Sequence, residues 1–277
     1  MQQFSNVIKL VLALGLLSAA TLGSADSRDT ESPASVKALQ WRGAYQSQKL
    51  SLDKKLGGRL PEGFKAGLTS LASQQQFRSD RVIMGVLLPG ANLDATQAIN
   101  LTNFNKGMIE VELAFQLKRP VKHAVADVAT LKKLVEVVAP AAELPDLGFK
   151  AQGVPTVFEI VRANVAAHSF VVGEPVAIES LDIDAITVGL HIDDQPIFSA
   201  QSNSVVGGQW QMLLNLINER VEQGWVIYPD QWLLTGALGQ ILPLEKGRYY
   251  VSFGELGELS LLVEANVPVV PPSNMDY

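Results

Sequence analysis

The chain has 277 residues, 47% of them hydrophobic, a net charge of −6 and no cysteine. That length suffices for one large core, and the acidic balance argues against a nucleic-acid partner, which wants a basic surface. Without thiols there are no disulfides, no thiolate metal ligands and no lipid attachment at a signal-cleavage cysteine.

Residues 1–25 (MQQFSNVIKLVLALGLLSAATLGSA) read as an export signal. Lys9 precedes an apolar run over 10–17, and Gly23-Ser24-Ala25 is a small-x-small cleavage site. The run is shorter than the roughly 20 apolar residues that cross a bilayer. We therefore expect cleavage, a periplasmic or secreted product and no stable membrane span afterwards; the alternative is an uncleaved N-terminal anchor. Residues 26–37 are polar and expected to be a flexible leader. Residues 38–265 follow as one domain, with no internal repeat and no clear linker. Residues 266–277 form a Pro-rich tail.

Within the domain, 38–55 reads as a helix with Leu39, Tyr45 and Leu50 as core contacts, closed by Gly57-Gly58. The runs 82–88 and 109–117 read as strands. A helix is expected over 127–138, with Val128, Leu131, Val135 and Val138 at helical spacing and Pro140 stopping it. Strands follow at 170–172 and 185–192. The helix over 209–223 places Trp210, Leu213, Leu214, Ile217 and Val221 on one face, with Gly224 beyond it. Further strands read at 232–235, 249–253 and 259–263. Many strands and few helices without regular alternation indicate an α+β domain.

Three features carry possible chemistry. In the strand Ile109-Glu110-Val111-Glu112-Leu113-Ala114-Phe115, alternate side chains share a face, so Glu110 and Glu112 point the same way. Two such carboxylates can jointly hold a hard divalent cation; the alternative is a solvated face, since Gln116 and Lys118 continue the polar alternation. Glu143, in the Pro-flanked loop Ala142-Glu143-Leu144-Pro145-Asp146, would be a third ligand or an ordinary surface acid. Lys65, in Gly63-Phe64-Lys65-Ala66-Gly67-Leu68-Thr69-Ser70, would approach a ligand closely or be an exposed loop lysine. His123, His168 and His191 show no metal-ligand spacing. Trp210, Trp225 and Trp232 read as core or interface residues.

Several stretches, in order, resemble the 2-hydroxypenta-2,4-dienoate (2-keto-4-pentenoate) hydratase branch of the fumarylacetoacetate hydrolase superfamily. Ala44-Tyr45-x-x-Gln48 is similar to its opening helix, and the Gly63 to Ser70 stretch to its G-[YF]-K-x-G-L-T-S signature. The Ile109 to Phe115 strand is similar to I-E-x-E-x-A-F. Ala139-Pro140-Ala141-Ala142-Glu143-Leu144-Pro145-Asp146 resembles the segment supplying its third acidic ligand, and Asn164 to Gly173 its N-A-x-x-x-x-F-V-L-G stretch. Leu234-Thr235-Gly236-Ala237-Leu238-Gly239 and Phe253 to Ser260 resemble its C-terminal pattern. There are three departures. Ile83-Met84 stands where the family usually carries an acid, Ala163 replaces an acid before the asparagine, and Gln209 replaces a proline at a helix start.

The resemblance implies a mixed β-sheet roll with flanking helices, like the C-terminal domain of fumarylacetoacetate hydrolase. It implies Mg²⁺ or Mn²⁺ on Glu110, Glu112 and Glu143, Lys65 as the catalytic group with a lowered pKa, and Leu68, Thr235 and Gly236 along the substrate. The implied activity is hydration of a 2-hydroxy-dienoate through a metal-stabilised enolate. The expected partners are a small 2-oxo or 2-hydroxy-dienoic acid and further copies of the chain. The alternatives are a same-fold decarboxylase or C–C hydrolase, or a non-catalytic periplasmic 2-oxo acid binding protein.

Overall fold

The computed structural model describes residues 33–150 and 153–265. The expected signal and tail, and residues 26–32 of the expected leader, lie outside the described residues. Helix α1 (Pro33–Leu56) begins inside the segment expected to be a flexible leader. Its proline sits in the first turn, where a missing N–H costs no helical hydrogen bond.

The inward face of α1 is Trp41, Ala44, Tyr45, Gln48, Leu52 and Leu56, at the three- and four-residue steps that keep one stripe buried. The expected contacts Leu39 and Leu50 are instead 47% and 67% exposed. At about 100° per residue they stand roughly 160° and 180° around the helix from Trp41, so they cannot share its face. Two polar residues of that face are also used. Tyr45 Oη accepts the Met84 N–H (3.0 Å), and Gln48 Nε2 donates to Met84 O (2.9 Å) and Val161 O (3.0 Å).

The elements that follow are β1 (Gly63–Gly67), α2 (Leu71–Gln76), β2 (Ile83–Leu87), β3 (Ile99–Asn100), β4 (Met108–Leu117), α3 (Val128–Lys132), β5 (Val135–Leu144) and α4 (Val157–Arg162). Then come β6 (Ser169–Val172), β7 (Val176–Ala177), β8 (Thr187–Ile192), β9 (Gln195–Gln201), α5 (Gly208–Glu222), β10 (Trp232–Leu234), β11 (Leu242–Pro243), β12 (Gly247–Ser252) and β13 (Glu258–Glu264). Among the described residues they build two sheets. One runs β2-β1-β10-β4-β5-β6, with β11 against β4 and β7 against β5; the other runs β3-β13-β12-β8-β9. Both are mixed: β1 with β10 and β13 with β3 are parallel, the other pairs antiparallel.

The helix expected over 127–138 ends at Lys132. Asp127 does cap it, its side chain accepting from Thr130 N. Val135 and Val138, which also fitted helical spacing, belong instead to β5, a ten-residue strand paired with β4 on one side and with β6 and β7 on the other. A strand buried between neighbours shows an unbroken apolar run rather than alternation, and its β-branched valines favour extended backbone. Pro140 does not stop an element but sits inside β5, opposite the break between β6 and β7, where the ladder does not call for its missing N–H.

The larger sheet rolls up. The segment after β2 returns to β6, where Phe170 N–H donates to Ala91 O and Leu93 N–H to Phe170 O, both at 2.8 Å. That contact joins the sheet's two ends, so one sheet face becomes an interior. Leu87, Ala91, Ala114, Ala141, Phe170 and Leu234 form a small apolar cluster of their own, apart from the main core that packs α1, α4 and α5 against the strands.

Candidate metal and acid–base centre

The register of the rolled sheet decides which side chains meet. On β4, Glu110, Glu112 and Ala114 alternate onto one face. Glu143 pairs directly with Glu110, and Ala141 with Glu112, so Glu143 lies in a strand rather than the expected loop and faces the same way. Lys65 pairs with Leu234, which pairs with Ala114. This places Lys65 on that face too, on a central strand and only 3% exposed, not in an exposed loop.

The three acids can each bring a carboxylate oxygen within 4.8 Å of the other two. Glu112 and Glu143 are fully buried, and Glu110 is half-buried. Lys65 Nζ stands 2.8 Å from Glu143 Oε2 and donates to Val165 O at 3.1 Å. The Gly236 N–H donates to Glu112 Oε2 at 2.7 Å.

Burial and the neighbouring carboxylates Glu143 and Glu110 push the Glu112 pKa well above the usual range. Burial raises Glu143 to about 7 against the pull of Lys65. For Lys65, burial alone would lower the pKa, but Glu143, Glu110 and Glu112 together outweigh it and hold it above 10.5. The lowered lysine pKa expected beside a cation is thus not the resting condition. The carboxylates, being closer and more numerous, set the sign.

A divalent cation fits this donor set. Glu112 Oε1 and Glu143 Oε1 are buried without a hydrogen-bond partner, an arrangement that is costly unless something supplies positive charge. Three ionised carboxylates against one ammonium leave two negative charges, which one divalent ion balances, and oxygen donors suit Mg²⁺ or Mn²⁺.

The other expected residues fall as follows. Thr235 is fully buried, its hydroxyl 2.6 Å from Gln209 Oε1 and 3.2 Å from Leu113 O. The shorter contact takes its one hydrogen. Gln209 in turn donates to Ser202 O, so the residue standing where the family has proline anchors Thr235 to the start of α5. Gly236 adopts φ +99°, and a Cβ there would lie 2.3 Å from Thr69 Cγ2; only glycine lets its amide reach Glu112. Leu68, at φ +53°, packs against the main core.

The glycines beside Lys65 admit protein rather than ligand. A Cβ at Gly63 would stand 2.0 Å from Trp232 O, and one at Gly67 2.5 Å from Val165 Cγ1. A cavity of about 430 Å³ lined by Trp41, Tyr45, Gln48, Glu219 and Trp225, among others, includes none of these acids.

Sequence reasoning missed the Asn164-Val165-Ala166 turn, whose three residues all have positive φ (57°, 53° and 58°). None is glycine, and such conformations cost of order 1–3 kcal/mol each. The asparagine, the most tolerant non-glycine type there, is the only local signal for it.

No family model matches the chain. It is 27% identical over 222 residues to a 2-keto-4-pentenoate hydratase of Dechloromonas aromatica, covering 79% of this chain and 84% of that protein. Its fold matches 4-oxalocrotonate decarboxylase from Pseudomonas putida G7, complexed with magnesium and adipate. The TM-score is 0.74 at 20% identity, over 81% of this chain and 86% of that one. Fumarylpyruvate hydrolase from Pseudomonas aeruginosa, in complex with Mn²⁺ and pyruvate, matches with TM-score 0.55 at 13% identity, over 72% and 88%. The resemblance read from the motifs is borne out: the chain is similar to the 2-keto-4-pentenoate hydratases and has the fumarylacetoacetate hydrolase fold.

Proposed function

We propose that the chain is a metal-dependent hydratase of the 2-keto-4-pentenoate hydratase type, acting on a 2-hydroxy-dienoate. One observation carries this reading. Three acids converge inside the roll, two of them (Glu112 and Glu143) with buried oxygens that lack a hydrogen-bond partner, and a buried lysine is paired to Glu143.

Glu110, Glu112 and Glu143 would hold Mg²⁺ or Mn²⁺, which when bound supplies Lewis acidity toward the carboxylate and C2 oxygens of the acid. The residues themselves do the rest. The Gly236 N–H holds the Glu112 carboxylate through Oε2. Lys65, charged and buried, offers a proton and a hydrogen-bond donor to the reacting dienol. Leu87, Ala114, Phe170 and Leu234 make the surrounding face apolar, which strengthens each charge inside it. Leu68, Thr235 and Gly236 would contact the substrate, Thr235 as an acceptor because its hydrogen is engaged by Gln209.

One observation favours a second reading, a 2-oxo acid binding protein. Ile83 pairs with Gly67, two residues along β1 from Lys65, and packs into the main core; it brings no titratable group where the family usually has an acid. Incubation with 2-hydroxypenta-2,4-dienoate and Mg²⁺ tests the two. Loss of the dienol with formation of 4-hydroxy-2-oxopentanoate supports the hydratase. Pyruvate binding without turnover supports the binder. Carbon dioxide release from an oxalocrotonate-type acid points to the same-fold decarboxylase.

Export belongs to the proposal and is supported by residues 1–25. Fractionation should recover a protein starting near Asp26 in the periplasm or medium; a full-length product in membranes refutes cleavage.

A further inference from the structure

Asn164, Val165 and Ala166 are consecutive left-handed residues, and such a run persists only where the surroundings over-determine it. The Asn164 amide grips the main chain of β2 twice: Oδ1 accepts Val86 N–H (2.9 Å) and Nδ2 donates to Val86 O (2.8 Å). Because β2 ends its ladder order, this amide stands where a neighbouring strand would. At the other end, Ala166 O accepts the Asp146 N–H at 2.9 Å. Between these anchors the Val165 carbonyl reaches Lys65 Nζ at 3.1 Å. Two glycines make the room. A Cβ at Gly67 would meet Val165 Cγ1 at 2.5 Å, and one at Gly85 would stand 2.9 Å from both Asn164 O and Lys65 Cδ.

We propose that the left-handed Asn164-Val165-Ala166 turn is a positioning device for Lys65, with Asn164 the positioning residue. Through Asn164's hold on Val86 it presents the Val165 carbonyl to the ammonium. Lys65 has three N–H donors. Glu143 and Val165 take two, so the third has one direction left, toward a ligand oxygen inside the roll. In a right-handed turn the Val165 carbonyl would point away, and the ammonium would swing about Glu143 alone. That the third N–H meets a 2-oxo acid oxygen rests on the function proposed above; the positioning itself does not.

The test uses the full chain with ¹⁵N-labelled lysine. The Lys65 ammonium signal is assigned by its disappearance in Lys65→Met. Two variants disturb the turn from opposite sides. Asn164→Gly keeps left-handed backbone accessible but removes the grip on Val86. Gly67→Ala pushes Val165 from below and serves if the first variant does not fold. Wild type should show a hydrogen-bonded ammonium, and in a folded variant its exchange with water should quicken about tenfold or more. Mn²⁺ affinity, read by electron paramagnetic resonance, should stay as in wild type, because no acid has moved.

Unchanged exchange in a folded variant overturns the proposal, and so does lost Mn²⁺ affinity, which would mean that the turn merely supports the site's structure. If wild type turns over the dienoate, kcat should fall about tenfold or more with KM nearly kept, the pattern of a misplaced reacting group. If wild type is inert while the ammonium signal responds, the functional reading fails and the positioning stands.

Discussion

Lys65 and Glu143 form a 2.8 Å buried ion pair although their strands, β1 and β5, stand three apart in the sheet. Strands three apart in a flat sheet lie about 14 Å from each other at 4.8 Å per spacing, beyond what the two side chains span in this register. The pair exists because the sheet rolls and closes through Ala91, Leu93 and Phe170.

Glu112 is buried among like charges, so its ionised form opposes folding without a cation. Glu112→Gln should therefore raise the melting temperature of chelator-treated protein while abolishing its stabilisation by Mg²⁺ or Mn²⁺. Wild type should gain about 2.7 kcal/mol at a metal concentration one hundred times Kd. Scanning calorimetry with and without metal reads both effects, and equal metal stabilisation of the two proteins would remove Glu112 from the ligand set.

The pH dependence follows from Glu143 and Glu112. A carboxyl whose folded pKa lies above its unfolded value holds its proton more tightly when folded. That contribution is complete below the unfolded value and is lost as pH rises through the folded one. Glu143, at about 7 against an ordinary 4.5, sets the window, and Glu112 shifts in the same direction. Lys65 is held above 10.5, and Asp80 and Asp146 below 3.8, so all three titrate outside it. Metal-free protein should lose stability between pH 4.5 and about 7. Saturating Mg²⁺ should flatten or reverse that slope, because the ion binds deprotonated ligands.

Lys65→Met removes a positive charge 2.8 Å from Glu143. Metal affinity should rise, since the ammonium competes for that carboxylate, while turnover should fall about 10²-fold or more through loss of a proton-transferring group. Calorimetric titration paired with steady-state kinetics separates the two effects. Wild-type turnover in the variant would end the catalytic assignment of Lys65.

Two glycines of unlike surroundings test the β1 packing. A Cβ at Gly63 meets Trp232 O at 2.0 Å, whereas one at Gly43 in α1 meets nothing within 4 Å. Gly63→Ala should destabilise by about 1–3 kcal/mol or more as β1 and β10 are forced apart. Gly43→Ala should be neutral or stabilise by up to about 1 kcal/mol through helix propensity. Urea midpoints measure both.

The sequence by itself determined most of the local elements. Alternation in β4 put Glu110 and Glu112 on one face, and the spacing in α5 found Leu213, Leu214 and Ile217 of its buried side, while Met212, Leu216 and Arg220 are buried beside them and Trp210 and Val221 only partly so. The ordered motifs identified the fold family and the acids. Local periodicity failed where burial in the sheet erased it: the valines of β5 fit a helical wheel as well as a central strand, and only pairing with β4 and β7 decided for the strand. In α1, Leu39 and Leu50 were as apolar as Leu52, and only the helix's contact with the sheet selected a face.

The tertiary structure also decided everything set by sheet closure: Glu143 opposite Glu110, Lys65 beside Glu143, the Gly236 amide on Glu112 and the Val165 carbonyl on Lys65. These contacts join residues far apart in the chain. Their geometry comes from strand register and sheet curvature, which pairing along the whole sheet fixes and no local stretch of residues encodes.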